Sequence, residues 1–357
     1  MNRHINLTHL GFGEWFEDQL KLRCGPDDKV ARVAAVDRDQ LLLIDETGSF
    51  RAKLAGSYWH RHHLPQELPC VGDWVCVERH NQDGFGLIQA VLERKTTLRR
   101  KAAGSTTEHQ MIAANVDYAI IVQSCHFDFN LKRLERYLVM VIDGGAEPYV
   151  LLTKLDLVAP DVLAAQLAEI RAAGVSAPVL SLSNVTRQGV EELEAVLQPG
   201  KTYCFVGSSG VGKSTIINGL IGRQLLDTQE TSSTGEGKHT TVRRELVMLP
   251  GGALVIDNPG MREFGILGAE NGIESGFGDI LTLAAGCRYR DCSHTAEPGC
   301  AVLNALATGG LNREHYANFV KLREESEFYQ MSHAEKRKKD RDFGRYVKSA
   351  KKDIDRD

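Results

Sequence analysis

One run of nine residues limits the fold more than any other feature. Residues 207–215 read G-S-S-G-V-G-K-S-T, which matches G-x-x-x-x-G-K-[ST]. An apolar run at 202–206 precedes it and a helical run at 216–221 follows. Strand, turn and helix in that order is the setting in which such a loop can cradle phosphate. Gly207, Gly210 and Gly212 let backbone N–H groups close around phosphate oxygens, and the helix start adds partial positive charge. Lys213 can reach the outer phosphates, and Ser214 can offer its hydroxyl to Mg²⁺. Ser208, Ser209, Val211 and Thr215 complete the candidate nucleotide loop.

A phosphate loop of this kind needs a second acid for its metal. Residues 253–256 are apolar and end at Asp257, in the run Asp257-Asn258-Pro259-Gly260. Asp257 can hold the metal's water shell, and Gly260 lets the backbone approach a γ-phosphate. Between the two motifs, residues 231–241 read T-S-S-T-G-E-G-K-H-T-T, polar and glycine-containing. A threonine there can ligate Mg²⁺ only when a γ-phosphate is present, which would make it a switch. Thr241 is the first choice and Thr240 the next. Asp257, Thr241 and Ser214 are therefore the candidate Mg²⁺ ligands.

The base-reading motif lies upstream. Thr153-Lys154-Leu155-Asp156 fits [NT]-K-x-D at the end of an apolar run. Asp156 can accept two hydrogen bonds from the guanine edge, a donor pair that adenine lacks, and Lys154 can lie across the ring face. Ser183 and Asn184 end the next apolar run and fit a second guanine-side loop. Guanine motifs thus precede phosphate motifs, a circular permutation of the usual GTPase order. Two other classes share parts of this pattern: an ATP-dependent P-loop enzyme, and an RNA-binding nucleotide switch with little catalysis.

The 357 residues leave room for more than one domain. Short β-rich runs at 30–36, 41–44, 50–54, 73–78 and 87–91 predict a small closed barrel, with an OB-fold as the leading candidate. Residues 14–21 predict a helix with Trp15, Phe16 and Leu20 on one face. The run R-K-T-T-L-R-R-K at 94–101 holds five positive charges and no acid, and reads as a linker, either a solvated connector or a phosphate-contacting segment. From 118 to 257, strands and helices alternate as in a doubly wound sheet. The expected division is an extension over 1–27, a barrel over 28–98, a permuted GTPase core over 99–275 and a helical region with a basic tail over 276–357. The fold class is multi-domain α/β: an N-terminal OB-fold barrel, a circularly permuted P-loop GTPase core and a C-terminal zinc-binding α-helical domain.

Charge and cysteine usage narrow the setting. With 43 basic and 47 acidic residues the chain carries a net charge of −4, so any nucleic-acid contact must use local patches. Tyr58, Trp59, His60, Arg61, His62 and His63 form one such candidate, read as an RNA-facing loop or as a plain exposed turn. No apolar run is long enough to span a membrane, and the N-terminus lacks a signal-peptide pattern, so a cytoplasmic chain is expected. Of the eight cysteines, Cys24, Cys70, Cys76, Cys125 and Cys204 read as small buried hydrophobes rather than a disulfide framework. Cys287, Cys292, His294 and Cys300 fall within fourteen residues and suit a closed tetrahedral Zn²⁺ site of structural type. Arg288, Tyr289 and Arg290, between them, form a loop that could meet RNA or simply be solvated.

Taken together, these motifs resemble the circularly permuted ribosome small-subunit-dependent GTPase A family. The likeness runs from about residue 28 to 325 and includes the barrel, Gln110-Met-Ile-Ala-Ala-Asn-Val-Asp117, T-K-L-D, GSSGVGKST, GKHTT, D-N-P-G and the cysteine cluster. It implies ribosome-stimulated hydrolysis of GTP to GDP and phosphate, binding to the small ribosomal subunit and its rRNA during late maturation, one structural Zn²⁺, and Mg²⁺ with the nucleotide. A monomer with no membrane partner is expected. Two residues depart from the family pattern. Thr153 stands for the commoner Asn, which ties the guanine loop to the P-loop, and Asn258 stands for the commoner Thr. Met261 occupies the position where Ras-like enzymes orient water with glutamine, so intrinsic turnover should be slow. His239, beside the switch threonines, is the internal candidate for that role, with a ribosomal group as the alternative.

Overall fold

The computed structural model describes residues 6–38, 40–62, 64–80, 85–101, 109–222, 244–257 and 269–330. Among them, five strands close a barrel: β1 (Lys29–Val36), β2 (Leu41–Asp45), β3 (Gly48–Leu54), β4 (Trp74–His80) and β5 (Phe85–Val91). β1, β2 and β3 run antiparallel, β3 pairs β5 in parallel, and β4 pairs antiparallel with both β5 and β1 to close the ring. Alternation along each strand sends Ala31, Val33, Leu41, Leu43, Phe50, Ala52, Val75, Val77 and Ile88 inward. Gly86 is required where β5 crosses this interior, because a Cβ there would lie 2.6 Å from a Val77 methyl. The expected loop at 58–63 is instead a short helix, α2 (Gly56–Arg61), within the described part of that run; His63 lies outside it. Tyr58 is buried and donates to the Glu67 carbonyl, which fixes the helix, while Trp59 stays exposed.

Ahead of the barrel, α1 (Glu14–Arg23) lies against it. Phe12 and Phe16 pack on Trp74, and the Trp15 indole N–H donates to the Glu93 carbonyl. Trp15 is therefore half-exposed beside the contact, not on the buried face with Phe16. The helix end carries Cys24 onto Cys76 of β4, and the two form a disulfide. This corrects the reading of both residues as unlinked hydrophobes: a sequence separation of 52 gave no sign that the helix end lands on that strand. The remaining six cysteines are free thiols.

Residues 94–101 are not a linker. Arg94 forms a bidentate pair with Asp73, at 2.8 Å for each nitrogen, and also donates to the Gln66 and Leu68 carbonyls. Thr97–Lys101 is strand β6, paired antiparallel with β7 (His109–Ala114). Arg99 reaches Asp143. The charge run looked unpaired because its carboxylates lie 21 and 44 residues away in sequence.

The core sheet follows. Strands β8 (Tyr118–Ser124), β9 (Glu147–Thr153), β10 (Val179–Ser181), β11 (Thr202–Gly207), β12 (Glu245–Met248) and β13 (Leu254–Asp257) lie in the order β10-β9-β8-β11-β13-β12. All pairings are parallel except the hairpin of β12 with β13. β12 also pairs with β1 at Ala35 and Glu245, so barrel and core share one continuous sheet. Helices α3 (Leu131–Asp143) and α4 (Pro160–Ala172) cover one face; α5 (Val190–Val196) and α6 (Lys213–Ile221) cover the other. Alternate strand residues serve the two faces. Ala119 and Ile121 meet Leu134, Tyr137 and Leu138 of α3, while Ile120 and Val122 share a cluster with Leu193, Ile216 and Ile217.

The C-terminal part is helical: α7 (Glu270–Gly276), α8 (Gly278–Ala284), α9 (Ala301–Ala307) and α10 (Arg313–Gln330). Its core of Ile273, Phe277, Ile280, Val302, Phe319 and Leu322 includes Val139 from α3. Gly272 lets α7 press on α3, since a Cβ there would sit 2.1 Å from the Val139 carbonyl oxygen. Arg136 of α3 pairs with both oxygens of Glu325 at 2.8 Å. Beside it, fully buried His315 lies between Glu135 and Asp279, with Asn318 on the second Glu135 oxygen and the Phe277 ring alongside. No helix among the described residues is long and apolar enough to cross a membrane.

Two predictions follow from this packing. Arg32 of β1 is buried and donates to the carbonyls of Leu10, Gly72 and Asn115. Arg32→Met should destabilise the chain by about 3 kcal/mol, because it takes the guanidinium donors from the buried Leu10 and Asn115 carbonyls and leaves Gly72 with Asn115 alone; urea unfolding at parent stability would contradict this. Burial works against the His315 charge, but Asp279 and Glu135 push its pKa up to about 9. Its raised folded-state value means its contribution is full below about pH 6.5 and lost as pH rises through about 9. The melting-temperature gap between parent and His315→Gln should therefore narrow from pH 6.5 to pH 9.5, and a constant gap would refute the assignment.

Candidate nucleotide site and metal centre

The C-terminal ends of the parallel strands carry the predicted loops to one edge of the sheet. β11 is buried along its length and feeds the turn 207–212. Gly207 has φ +147°, and a Cβ there would meet the Val122 carbonyl at 2.3 Å, so the turn can begin only with glycine. Gly212, with φ +101°, starts α6. Lys213 is buried and donates to the carbonyls of Gly207, at 2.8 Å, and Ser208, at 2.6 Å. Its ammonium is folded over its own loop. Burial pulls the Lys213 pKa down to about 8, opposed by the charges of Asp257 and Asp128. Ser209, Gly210 and Ser214 are half-buried, Val211 is buried and Thr215 is exposed.

Asp257 ends β13, the neighbour of β11, and is buried. Its carboxylate and the Ser214 hydroxyl are hard oxygen donors of the type Mg²⁺ prefers. His239, Thr240, Thr241, Asn258, Gly260 and Met261 lie outside the described residues.

The base-side loops meet at the same edge. Thr153, fully buried at the end of β9, donates to the Val211 carbonyl of the P-loop at 2.7 Å. Its hydroxyl thus makes a tie between the two loops despite the change from the family's asparagine. Lys154 adopts a left-handed conformation, φ 61°, which turns the chain into a 3-10 turn at Leu155–Leu157. Leu155 is buried and holds the turn in place, and Asp156 is exposed. Ser183 follows β10 and is fully buried. Its hydroxyl donates to the Asp156 carboxylate and accepts from the Val185 and Thr186 amides, each at 3.1 Å. Ser183 therefore aims Asp156. The Asn184 amide lies 3.2 Å from where a Gly212 Cβ would be, which brings the loop after β10 against the P-loop.

Sequence reasoning missed the loop between β8 and α3. Asp128 pairs with Arg133 at 2.7 Å. Asn130 caps α3 through the Arg133 amide at 2.9 Å, a signal the sequence did carry. Nothing local could have told that the neighbouring Asp128 acts on the charge of Lys213 in the P-loop.

With the permuted loops gathered at one sheet edge, the comparisons with known proteins agree. A family model described as RsgA GTPase matches residues 91–267. A Listeria innocua protein named small ribosomal subunit biogenesis GTPase RsgA 1 is 44% identical over 325 residues, covering 90% of each chain. The chain belongs to the RsgA GTPase family. A relative from Opitutus terrae, small ribosomal subunit biogenesis GTPase RsgA, is 40% identical, covering 91% of this chain and 90% of its own. Among solved structures, YjeQ from Thermotoga maritima aligns with TM-score 0.61 and 26% identity, over 83% of this chain and 97% of that one. YloQ, titled a circularly permuted GTPase, shares the fold with TM-score 0.59 and 24% identity, over 86% and 97%. The motif order here is that permuted order, and the enzyme class of the family is GTP hydrolysis.

Cys287, Cys292, His294 and Cys300 also come together. Their ligand atoms lie within 4.8 Å of one another. The Cys287 and Cys300 sulfurs are 3.8 Å apart, and each lies 3.5 Å from the His294 Nδ1. A tetrahedral ion with metal–sulfur bonds of about 2.3 Å and metal–nitrogen bonds of about 2.0 Å has edges of about 3.8 and 3.5 Å. The donor set therefore fits a tetrahedral metal. Backbone amides of Ala301 and Leu303, at the start of α9, donate to the Cys287 and Cys300 sulfurs and hold them in place. Tyr316 of α10 donates to the His294 carbonyl at 2.6 Å, tying the knuckle to the helices. Elemental analysis should find about one equivalent of a divalent metal per chain, zinc foremost, and Cys292→Ser should lose it while still binding nucleotide. A parent protein without metal after purification from metal-replete cells would contradict the site.

Proposed function

We propose that this GTPase binds the small ribosomal subunit and its rRNA and assists late subunit maturation, hydrolysing GTP to GDP and phosphate with ribosomal stimulation. The observation that carries the guanine-nucleotide part is the double tie at the sheet edge. Thr153 joins the base loop to the P-loop, and Ser183 fixes the acid that reads the base. The named relatives, covered over nine-tenths of their length, carry the ribosomal part.

In this reading Lys213 leaves the Gly207 and Ser208 carbonyls when phosphates arrive, exchanging two neutral acceptors for charged ones. Backbone amides of residues 207–215 surround the phosphates, and Asp156 accepts from the guanine edge while the Lys154 stem covers the ring. Mg²⁺, when bound, would neutralise charge on the phosphate oxygens; Ser214, Thr241 and Asp257 would hold it, and Gly260 would let the backbone approach the γ-phosphate. His239 orients the attacking water or a ribosomal group does so in its place; the water oxygen bonds to the γ-phosphorus as the bridging P–O bond breaks, leaving GDP and phosphate. Zn²⁺ at the Cys₃His site holds the C-terminal region in shape. The chain works as a cytoplasmic monomer, and exposed Trp59 with Arg61, and Arg288 stacked over Tyr289, are the basic-aromatic surfaces offered to rRNA.

GTP turnover should be slow for the chain alone and should rise at least about tenfold when purified small subunits are added, whereas Lys213→Ala should show no such rise. Equal turnover with and without subunits would remove the ribosomal role, and parent-like turnover in Lys213→Ala would remove the P-loop assignment.

A further inference from the structure

Two cysteines that neither the nucleotide loops nor the metal cluster use are joined at the edge of the barrel. Cys24 ends α1 and Cys76 lies in β4, with Cα atoms 5.3 Å apart and a sequence separation of 52. Cys76 is fully buried and Cys24 half-buried. In a reducing compartment a disulfide is seldom a permanent staple; where one forms, it commonly serves catalysis or redox sensing.

The bond closes a strap that runs from the core to the barrel. The Thr8 carbonyl lies 3.1 Å from where a Gly200 Cβ would be, and the Gly200 carbonyl 3.0 Å from where a Gly11 Cβ would be, so the strap begins on the turn that leads into β11. Its Leu10 carbonyl accepts from Arg32. Phe12 and Phe16 pack on Trp74, and Trp15 and Gln19 donate to the Glu93 carbonyl at 3.1 and 3.4 Å. These contacts hold the strap as far as the middle of α1. Toward the helix end Lys21, Leu22 and Arg23 are exposed and Leu20 is partly buried. The pair of Arg23 with Glu93, at 3.8 Å, is open to solvent and contributes little. The disulfide is thus the strongest fixture at that end.

Resting on the cytoplasmic setting proposed above, we propose that Cys24–Cys76 is a reversible redox latch: oxidised, it pins the end of α1 to β4; reduced, it frees that end and loosens the strap over the seam between barrel and core. Glutathione, or another small thiol, is the co-reactant. Its thiolate attacks the sulfur of Cys24, the more exposed of the two residues. The bond to Cys76 breaks, and Cys76 leaves as a thiolate that takes up a proton. A second small-molecule thiolate attacks the small-molecule sulfur of the mixed disulfide and releases Cys24, which is protonated in turn. The protein gains two electrons and two protons, and two small thiols become one disulfide. Closing is the reverse, with glutathione disulfide as the oxidant.

The test equilibrates the full chain in reduced or oxidised glutathione, alkylates free thiols, and reads the linked peptide by mass spectrometry beside hydrogen exchange and thermal melting. The oxidised chain should yield a Cys24–Cys76 peptide that vanishes in reduced glutathione and returns on reoxidation. In the reduced chain the amides of residues 14–24 should exchange about tenfold faster, and the melting temperature should fall by about 4 °C. Cys24→Ser, which leaves buried Cys76 in place, should behave like the reduced parent in both buffers, with Cys24→Ala as a second variant. Both variants keep the Cys₃His cluster, so any effect of glutathione on those thiols appears in them too and is subtracted. Absence of the linked peptide from the oxidised chain, a link that survives reduced glutathione, or exchange and melting that match in both buffers after that subtraction would each overturn the proposal. Cell fractionation separates the two readings: an exported chain would overturn the cytoplasmic setting and the switch with it, whereas failure of the bond to open and close in vitro would overturn the latch alone.

Discussion

A single buried guanidinium joins the three parts of the chain that precede and form the nucleotide sheet. Arg32 is 1% exposed. Its nitrogens donate to Gly72 within the barrel, to Leu10 of the N-terminal segment and to Asn115 at the entry to the core. Burial lowers its pKa to about 10, with Asp117 and Asp73 pulling the other way, so it stays charged at neutral pH. A charge so deep is costly unless its donors are matched, and an apolar replacement would take its donors from the Leu10 and Asn115 carbonyls. Its value lies in fixing geometry. Gly72 is pressed so close to Ala114 that a Cβ would stand 2.1 Å from the carbonyl oxygen, and Asn115 donates back to the Gly72 carbonyl at 3.1 Å. Barrel and core are thus set in one relation, continued by the pairing of β1 with β12.

A second connection runs along α3. Just ahead of its first turn Asp128 pairs with Arg133 of the helix, and the charge of Lys213 in the P-loop acts on that acid. Its middle holds α10 through Glu135 and Arg136, and its later turns are gripped by α7 at Val139. The thiolate–imidazole cluster is tied to α10 in turn by Tyr316 and by Arg323, which donates to the Ser293 carbonyl. One helix therefore lies near the P-loop at one end and packs along its length on the region that carries the Cys₃His cluster. Packed elements of this kind shift between discrete arrangements rather than bending gradually.

What the sequence carried was local. The five barrel strands, the P-loop between strand and helix, T-K-L-D at a strand end and the clustered cysteines all depend on residues within a dozen or so positions of each other. What it hid was contact at a distance. The run at 94–101 looked like an unpaired basic linker because Asp73 and Asp143 are remote in sequence. Cys24 and Cys76 looked like separate small hydrophobes for the same reason. Ser183 could be placed at a strand end from the sequence, but its hydrogen bond to Asp156 needed the two loops side by side. Thr153 looked like a lost tie until its hydroxyl was seen on the Val211 carbonyl.

The account stands on the claim that these permuted loops form one guanine-selective site. Equilibrium binding of GTP and ATP to the full chain, with Mg²⁺ and in direct competition, tests it most directly. A site whose acid is pre-aimed at the guanine donor pair should reject a base lacking that pair, so GTP should bind at least about a hundredfold more tightly than ATP. Equal affinity for the two nucleotides would contradict it.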